Sequence, residues 1–272
     1  MKKTTTITGT LVALGLIATL GTASTASAFS LGLRGEADAR LGSQTEKGEN
    51  KILKENKKFG TDAATRMDAI KANAAREIDR RIALLNKDIS RINAMQKLSD
   101  AQKASLVATA QTNISNLTTL KAKIAADTDI ETLKTDVKSI TKSYRIFALV
   151  HPQGRIIAAA DRIIATSDNL TTVQGKLQVR VTAAQTAGKD VTTMNASLTE
   201  MQAKIADAKA QAQTAITLVA SLTPDQGDQG MSQSNKTALQ NAQVAIKAAH
   251  ADLEVASKDA HTVNKALKAL NF

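Results

Sequence analysis

The sequence predicts an all-α protein made of antiparallel helices. Three observations predict it. Apolar residues recur at steps of three and four over most of the chain. Proline occurs only twice in 272 residues. The helix-favouring or helix-tolerant residues Ala, Leu, Lys, Gln and Thr dominate beyond residue 60.

The first 28 residues have a different pattern. Lys2 and Lys3 form a basic start, and the apolar stretch around Leu11–Leu20 follows. Small residues then end in Ala26-Ser27-Ala28, an A-x-A cleavage pattern. The apolar stretch is shorter than the roughly 20 residues a membrane span needs. Residues 1–28 are therefore expected to be a signal peptide cut between Ala28 and Phe29. The protein is expected to be exported: secreted, periplasmic or at the cell surface. Cysteine is absent, which excludes disulfides and a lipidated cysteine anchor.

Residues 29–60 are polar and punctuated by Gly32, Gly35, Gly42, Gly48 and Gly60, so a mobile tail is expected there. A first helix is predicted from Thr61-Asp62 to Leu98, with the stripe Met67, Ile70, Ala74, Ile78, Ile82, Leu85, Ile89, Ile92 and Met95. Ser99-Asp-Ala-Gln102 reads as a capping box that starts a second helix, which ends at Asp127. Thr128-Asp-Ile-Glu131 reads as another box and starts a third, carrying Leu133, Val137, Ile140, Tyr144 and Phe147. Pro152 and Gly154 are expected to interrupt the pattern.

A fourth helix continues through Ile156, Ile163 and Leu177 to Gly188, a typical residue just past a helix end. Asp190 caps a fifth, which Thr223-Pro224 closes. Asp225 to Asn235 reads as a flexible linker. The sixth helix carries Leu239, Ala242, Ile246, Ala249, Leu253, Ala256, Ala260, Val263, Leu267 and Leu270, a coiled-coil seam. The predicted architecture is an elongated bundle of two tandem three-helix units, residues 61–150 and 151–272, because short connections make successive helices antiparallel.

Without Lys2 and Lys3 the chain keeps 34 basic and 25 acidic residues, a net charge of +9. That favours an anionic partner. A single Tyr and no Trp argue against the stacking platforms of single-strand nucleic-acid binders, and no nucleic-acid signature is present beyond the charge. No metal or cofactor is expected. His250 and His261 are eleven residues apart, so about 16 Å of helical rise separates them, too far for one ion. The run beginning Asp127-Thr-Asp fails as a calcium loop, because its sixth and twelfth positions are Thr132 and Lys138 rather than Gly and Glu. No nucleophile triad, Walker loop or dinucleotide fingerprint is present, and no enzymatic role is expected. Asp161, among apolar residues, is expected to form a salt bridge to a neighbouring helix.

Lys134, Lys138, Lys142 and Arg145 are spaced as one basic stripe on the third helix, and Arg155 extends it. This stripe is the candidate contact with an anionic surface. The segment Lys138–Ile163, Ala187-Gly-Lys-Asp-Val191 and Met201–Lys209 resemble segments of uncharacterised exported α-helical proteins of candidate-phyla (Patescibacteria-type) bacteria. The resemblance implies export and a helical fold, and carries over no functional residue. The expected function is that of a secreted or cell-surface helical scaffold that binds another protein or the cell envelope. The alternatives are a membrane-active helical protein, either a peripheral lipid binder or a pore-former, and a holdase-like periplasmic chaperone.

Overall fold

The structure is a computed structural model that describes residues 63–272. The expected signal peptide with Ala26, Ala28 and Phe29, and the expected tail 29–60, lie outside the described residues. The described chain is all-α: α1 (Ala63–Asn93), α2 (Asp100–Ala126), α3 (Ile130–Lys142), a π-helical turn (Ile146–Val150), α4 (His151–Thr186), α5 (Thr192–Ala220) and α6 (Gln229–Ala269). No strand occurs among the described residues, and no helix there is long and apolar enough to cross a membrane.

Local signals set several boundaries. Ser99 caps α2 reciprocally with Gln102: the Ser hydroxyl accepts from the Gln102 N–H, and the Gln102 carbonyl accepts from the Ser99 N–H. Asp129, rather than Thr128, caps α3 by accepting the Thr132 N–H at 2.8 Å. A carboxylate forms the stronger bond to an N–H donor, so the acidic neighbour takes the position from the hydroxyl. Gly188, at φ +76°, ends α4 in a Schellman arrangement. The Gly188 N–H reaches Gln185 O, and the Lys189 N–H reaches Ala184 O. Asp190 accepts the Thr192 N–H at 2.9 Å, one residue earlier than a standard cap, because Val191 holds the capping position. That bond holds the Asp190 carboxyl below its ordinary value.

The buried side chains form three clusters. The first lies among α1, α2 and α3: Ile70, Ile78, Leu85, Leu117, Ile124, Leu133 and Ile140 belong to it. The second joins the end of α1 to α4, α5 and α6 through Ile92, Met95, Leu98, Ile157, Ile163, Ile216 and Ile246. The third lies among the far halves of α4, α5 and α6, around Val181, Leu198, Met201, Val263 and Leu267. The most extensive packing is between α5 and α6. The predicted α6 seam is buried from Leu239 to Leu267, and Leu270 is half-buried. Ala208, Ala212, Ala242, Ala249 and Ala256 are fully buried along it and let the backbones approach closely. Lys204 and Gln211 of α5 both bind Asp252 of α6, and Arg180 of α4 binds Asn264 of α6. Leu253, 1% exposed, sits mid-seam. Leu253→Ala is expected to lower stability by about 2–5 kcal/mol, read from urea unfolding, because the alanine-lined surroundings cannot collapse further onto the gap.

The buried line of α1 departs from the predicted stripe. Ile78, Arg81, Leu85, Asp88, Ile92 and Met95 are buried, whereas Ile82 and Ile89 are only half-buried. The line keeps its alternating steps of three and four by taking two charged residues into the seam.

Candidate functional site

The two charged residues in the α1 seam explain how the basic stripe is mounted. Arg81 forms an ion pair with Glu77 one turn earlier and reaches Thr141 of α3 at 3.4 Å. Its guanidinium lies 5.0 Å from the centre of the Phe147 ring, and Arg80 lies 4.5 Å from the same ring, both within cation–π range. Asp88 accepts from His151 Nδ1 at 2.9 Å and pairs with Arg91 at 2.5 Å. Thr141, Phe147 and His151 all belong to the corner between α3 and α4. The polar residues of α1 therefore hold that corner.

The corner itself is built differently from the expectation at Pro152. Helix α3 ends at Lys142, and Arg145 adopts a left-handed conformation (φ 43°). A π-turn follows, with the Val150 N–H bonding back to Arg145 O and the His151 N–H to Ile146 O. Pro152 is the second residue of α4, directly after the π-turn, and does not interrupt the helix. The break therefore falls at 143–145, upstream of the proline. Helices α3 and α4 both pack on α1.

Asp225 locks the corner from the other side. The segment 225–235 is not a flexible linker: Asp225 is 5% exposed, and α6 begins at Gln229, capped by Asp228. Asp225 Oδ2 lies 2.9 Å from Arg145 Nε, and Arg145 Nη2 donates to Oδ1 at 3.0 Å. Gln226, itself left-handed (φ 52°), donates to Ser143 O at 3.0 Å, and Gly227 (φ +97°) donates its N–H back to Asp225. Burial alone would raise the Asp225 carboxyl, but Arg145 and the Gly227 N–H outweigh it and hold it below its ordinary value. Asn235, expected in the linker, is a buried residue of α6 that donates to Thr223 O at 2.8 Å.

Among the described residues Asp161 makes no salt bridge of the predicted kind. It is 4% exposed and accepts the backbone N–H groups of Gln96 (2.9 Å), Lys97 (2.6 Å) and Leu98 (3.1 Å). Those N–H groups belong to the turn after α1, which has no helical partners to offer them. Nearby, Asp168 binds both Lys97 and Lys209 at 2.6 Å. Lys209, then Lys97, hold its carboxyl below the ordinary value.

The five candidate cations thus stand in different surroundings. Lys138 and Lys142 are exposed on α3, one turn apart, and have no ion-pair partner among the described residues. Lys134 is half-buried and pairs with Glu131 at 2.6 Å. Arg145 belongs to the lock with Asp225. Arg155 is half-buried near the start of α4 and is engaged within the protein. Sequence reasoning missed Arg80, whose side chain is 64% exposed. Glu77 pairs with both Arg80 and Arg81. The Arg80-Arg81 doublet was the available signal.

The histidines do not converge. His151 is tied to Asp88, and His261 is exposed. His250 is half-buried, and burial, then the charge of Arg162, pulls its imidazole below the ordinary value. Among the described residues no three His, Cys, Asp or Glu side chains gather where a metal ion could sit. No protein-family model, curated protein or solved structure matches the chain.

Proposed function

We propose that the protein is an exported, non-catalytic helical scaffold that binds another protein or the cell envelope. The anionic contact is made by Lys138 and Lys142. The exposure of these two ammonium groups, one turn apart on a helix whose corner is held from both sides, carries the reading. The backbone of a firmly mounted helix is already ordered, so binding has to order only the lysine side chains. The net charge of the chain favours the same class of partner. In this reading the chain comprises two three-helix units, 61–150 and 151–272. It is supported by the first and third clusters, each drawn from one set of three helices, with the π-turn adding Ile146 to the first.

The test is sedimentation with vesicles containing anionic lipid, against neutral vesicles, at low and high salt. Binding is expected to be salt-sensitive and restricted to anionic vesicles. The double change Lys138→Glu with Lys142→Glu should weaken it at least about tenfold, since each basic residue near such a surface contributes about 1 kcal/mol. If the double variant binds as well as the unaltered chain, the stripe is not the contact. If the unaltered chain ignores both vesicles, crosslinking in intact envelopes then asks whether the anionic partner is a protein.

A further inference from the structure

At the far end of the first cluster from the corner, two aspartates meet where α2 turns into α3. Asp127 closes α2, so its carboxyl lies at the helix end that carries partial negative charge. Asp136 projects from the second turn of α3. The two residues are 9% and 6% exposed, and Lys123, one turn before Asp127, binds Asp136 Oδ1 at 2.9 Å across the α2–α3 turn. In each, Oδ2 is buried without a partner. Two ionised carboxylates are acceptors only, so neither can satisfy the other.

The charged groups acting on Asp127 come from every helix packed there. Lys71 of α1 donates to Ala125 O at 2.9 Å, and Lys123 of α2 takes Asp136 Oδ1 at 2.9 Å. Asp136 approaches from α3. The two lysines already supply two positive charges, which disfavours a divalent cation between the carboxylates. A single proton resolves the arrangement: it turns one acceptor into a donor and removes the repulsion.

We propose that Asp127 and Asp136 form a proton-binding pair, in which one proton taken from solvent bridges the two carboxyl groups and joins the end of α2 to α3. The Asp127 carboxyl carries the proton and donates to the Asp136 carboxylate. Burial first, then the charge of Asp136, holds the Asp127 carboxyl above its ordinary value. The folded state therefore binds this proton more tightly than the unfolded chain does. The resulting stability is fully present below the unfolded value and is lost as pH rises through the folded one. The pair is independent of the lysine contact proposed above.

The test is a titration of the aspartate side-chain carboxyl carbons by NMR on the whole chain. The Asp127 midpoint should lie above the ordinary aspartate value of about 3.9. Asp136→Asn should bring it down towards that value, and Asp127→Asn should remove the matching rise in melting temperature on acidification. An Asp127 midpoint at or below the ordinary value overturns the proposal in the unaltered protein alone, whether or not the variants fold. So does a raised midpoint that Asp136→Asn leaves in place. If added calcium or magnesium lowers the midpoint by competition, the pair is a cation site and the proton reading fails.

Discussion

Replacing Asp161 with alanine should cost on the order of 3 kcal/mol of unfolding free energy at neutral pH, measured from the urea midpoint. Three backbone N–H groups lose their acceptor at once. A buried donor left without a partner costs about 1–3 kcal/mol. Water can reach the exposed residues Gln96 and Lys97 and recover part of this, but Leu98 is buried. The turn also carries Met95 and Leu98 into the second cluster, so its loosening strips apolar contacts from α4. Asp161→Asn keeps the shape and one acceptor oxygen but aims an amide donor at other donors, so it should rescue only part of the loss. A cost below about 1 kcal/mol for the alanine variant, within the range of a surface change, would show that the three bonds are dispensable.

Arg145→Ala should cost about 3–5 kcal/mol, because it strands the Asp225 carboxylate in a buried position. Arg145→Gly tests the same loss with a backbone that accepts φ 43° without penalty, and should recover about 1 kcal/mol relative to alanine. The pH dependence has the opposite sign to that of Asp127. A carboxyl held below its unfolded value contributes stability above that value, about 3.9, and loses it as pH falls through the folded one. Acid unfolding profiles of the arginine variants should therefore lack the component that the unaltered protein loses below about pH 4. Profiles parallel to the unaltered one would mean that the ion pair is not what lowers the Asp225 carboxyl.

The parts of this fold that were legible in the sequence are those whose causes are local. The Ser99–Gln102 box and the α6 seam each depend on residues within a few turns of one another. The corner was misread because its causes are distant in the chain. Arg81 and Asp88 look like solvent-facing charges until Thr141, Phe147 and His151 stand opposite them. Asp225 looks like part of a polar linker until Arg145 arrives from 80 residues away. Pro152 drew the break to itself because a proline is a strong local signal. The actual break, at Arg145, rests on a left-handed arginine that no local pattern announces. Of the basic stripe, spacing alone identified the residues. It could not separate Lys138 and Lys142, which face outward, from Arg145, which is used internally.

Ala242, Ala249 and Ala256 recur every seven residues, with Ile246, Leu253 and Ala260 between them at the same interval. Sliding α6 by one heptad against α5 would set alanine where alanine was and a large apolar residue where another had been over much of its length. Packing alone therefore leaves such a slip cheap. The polar contacts make it expensive: Asp252 would leave Lys204 and Gln211, Asn264 would leave Arg180, and Asn235 would leave the carbonyl of Thr223. In this bundle the alanines set how close the helices come, and a few charged and amide side chains set the register.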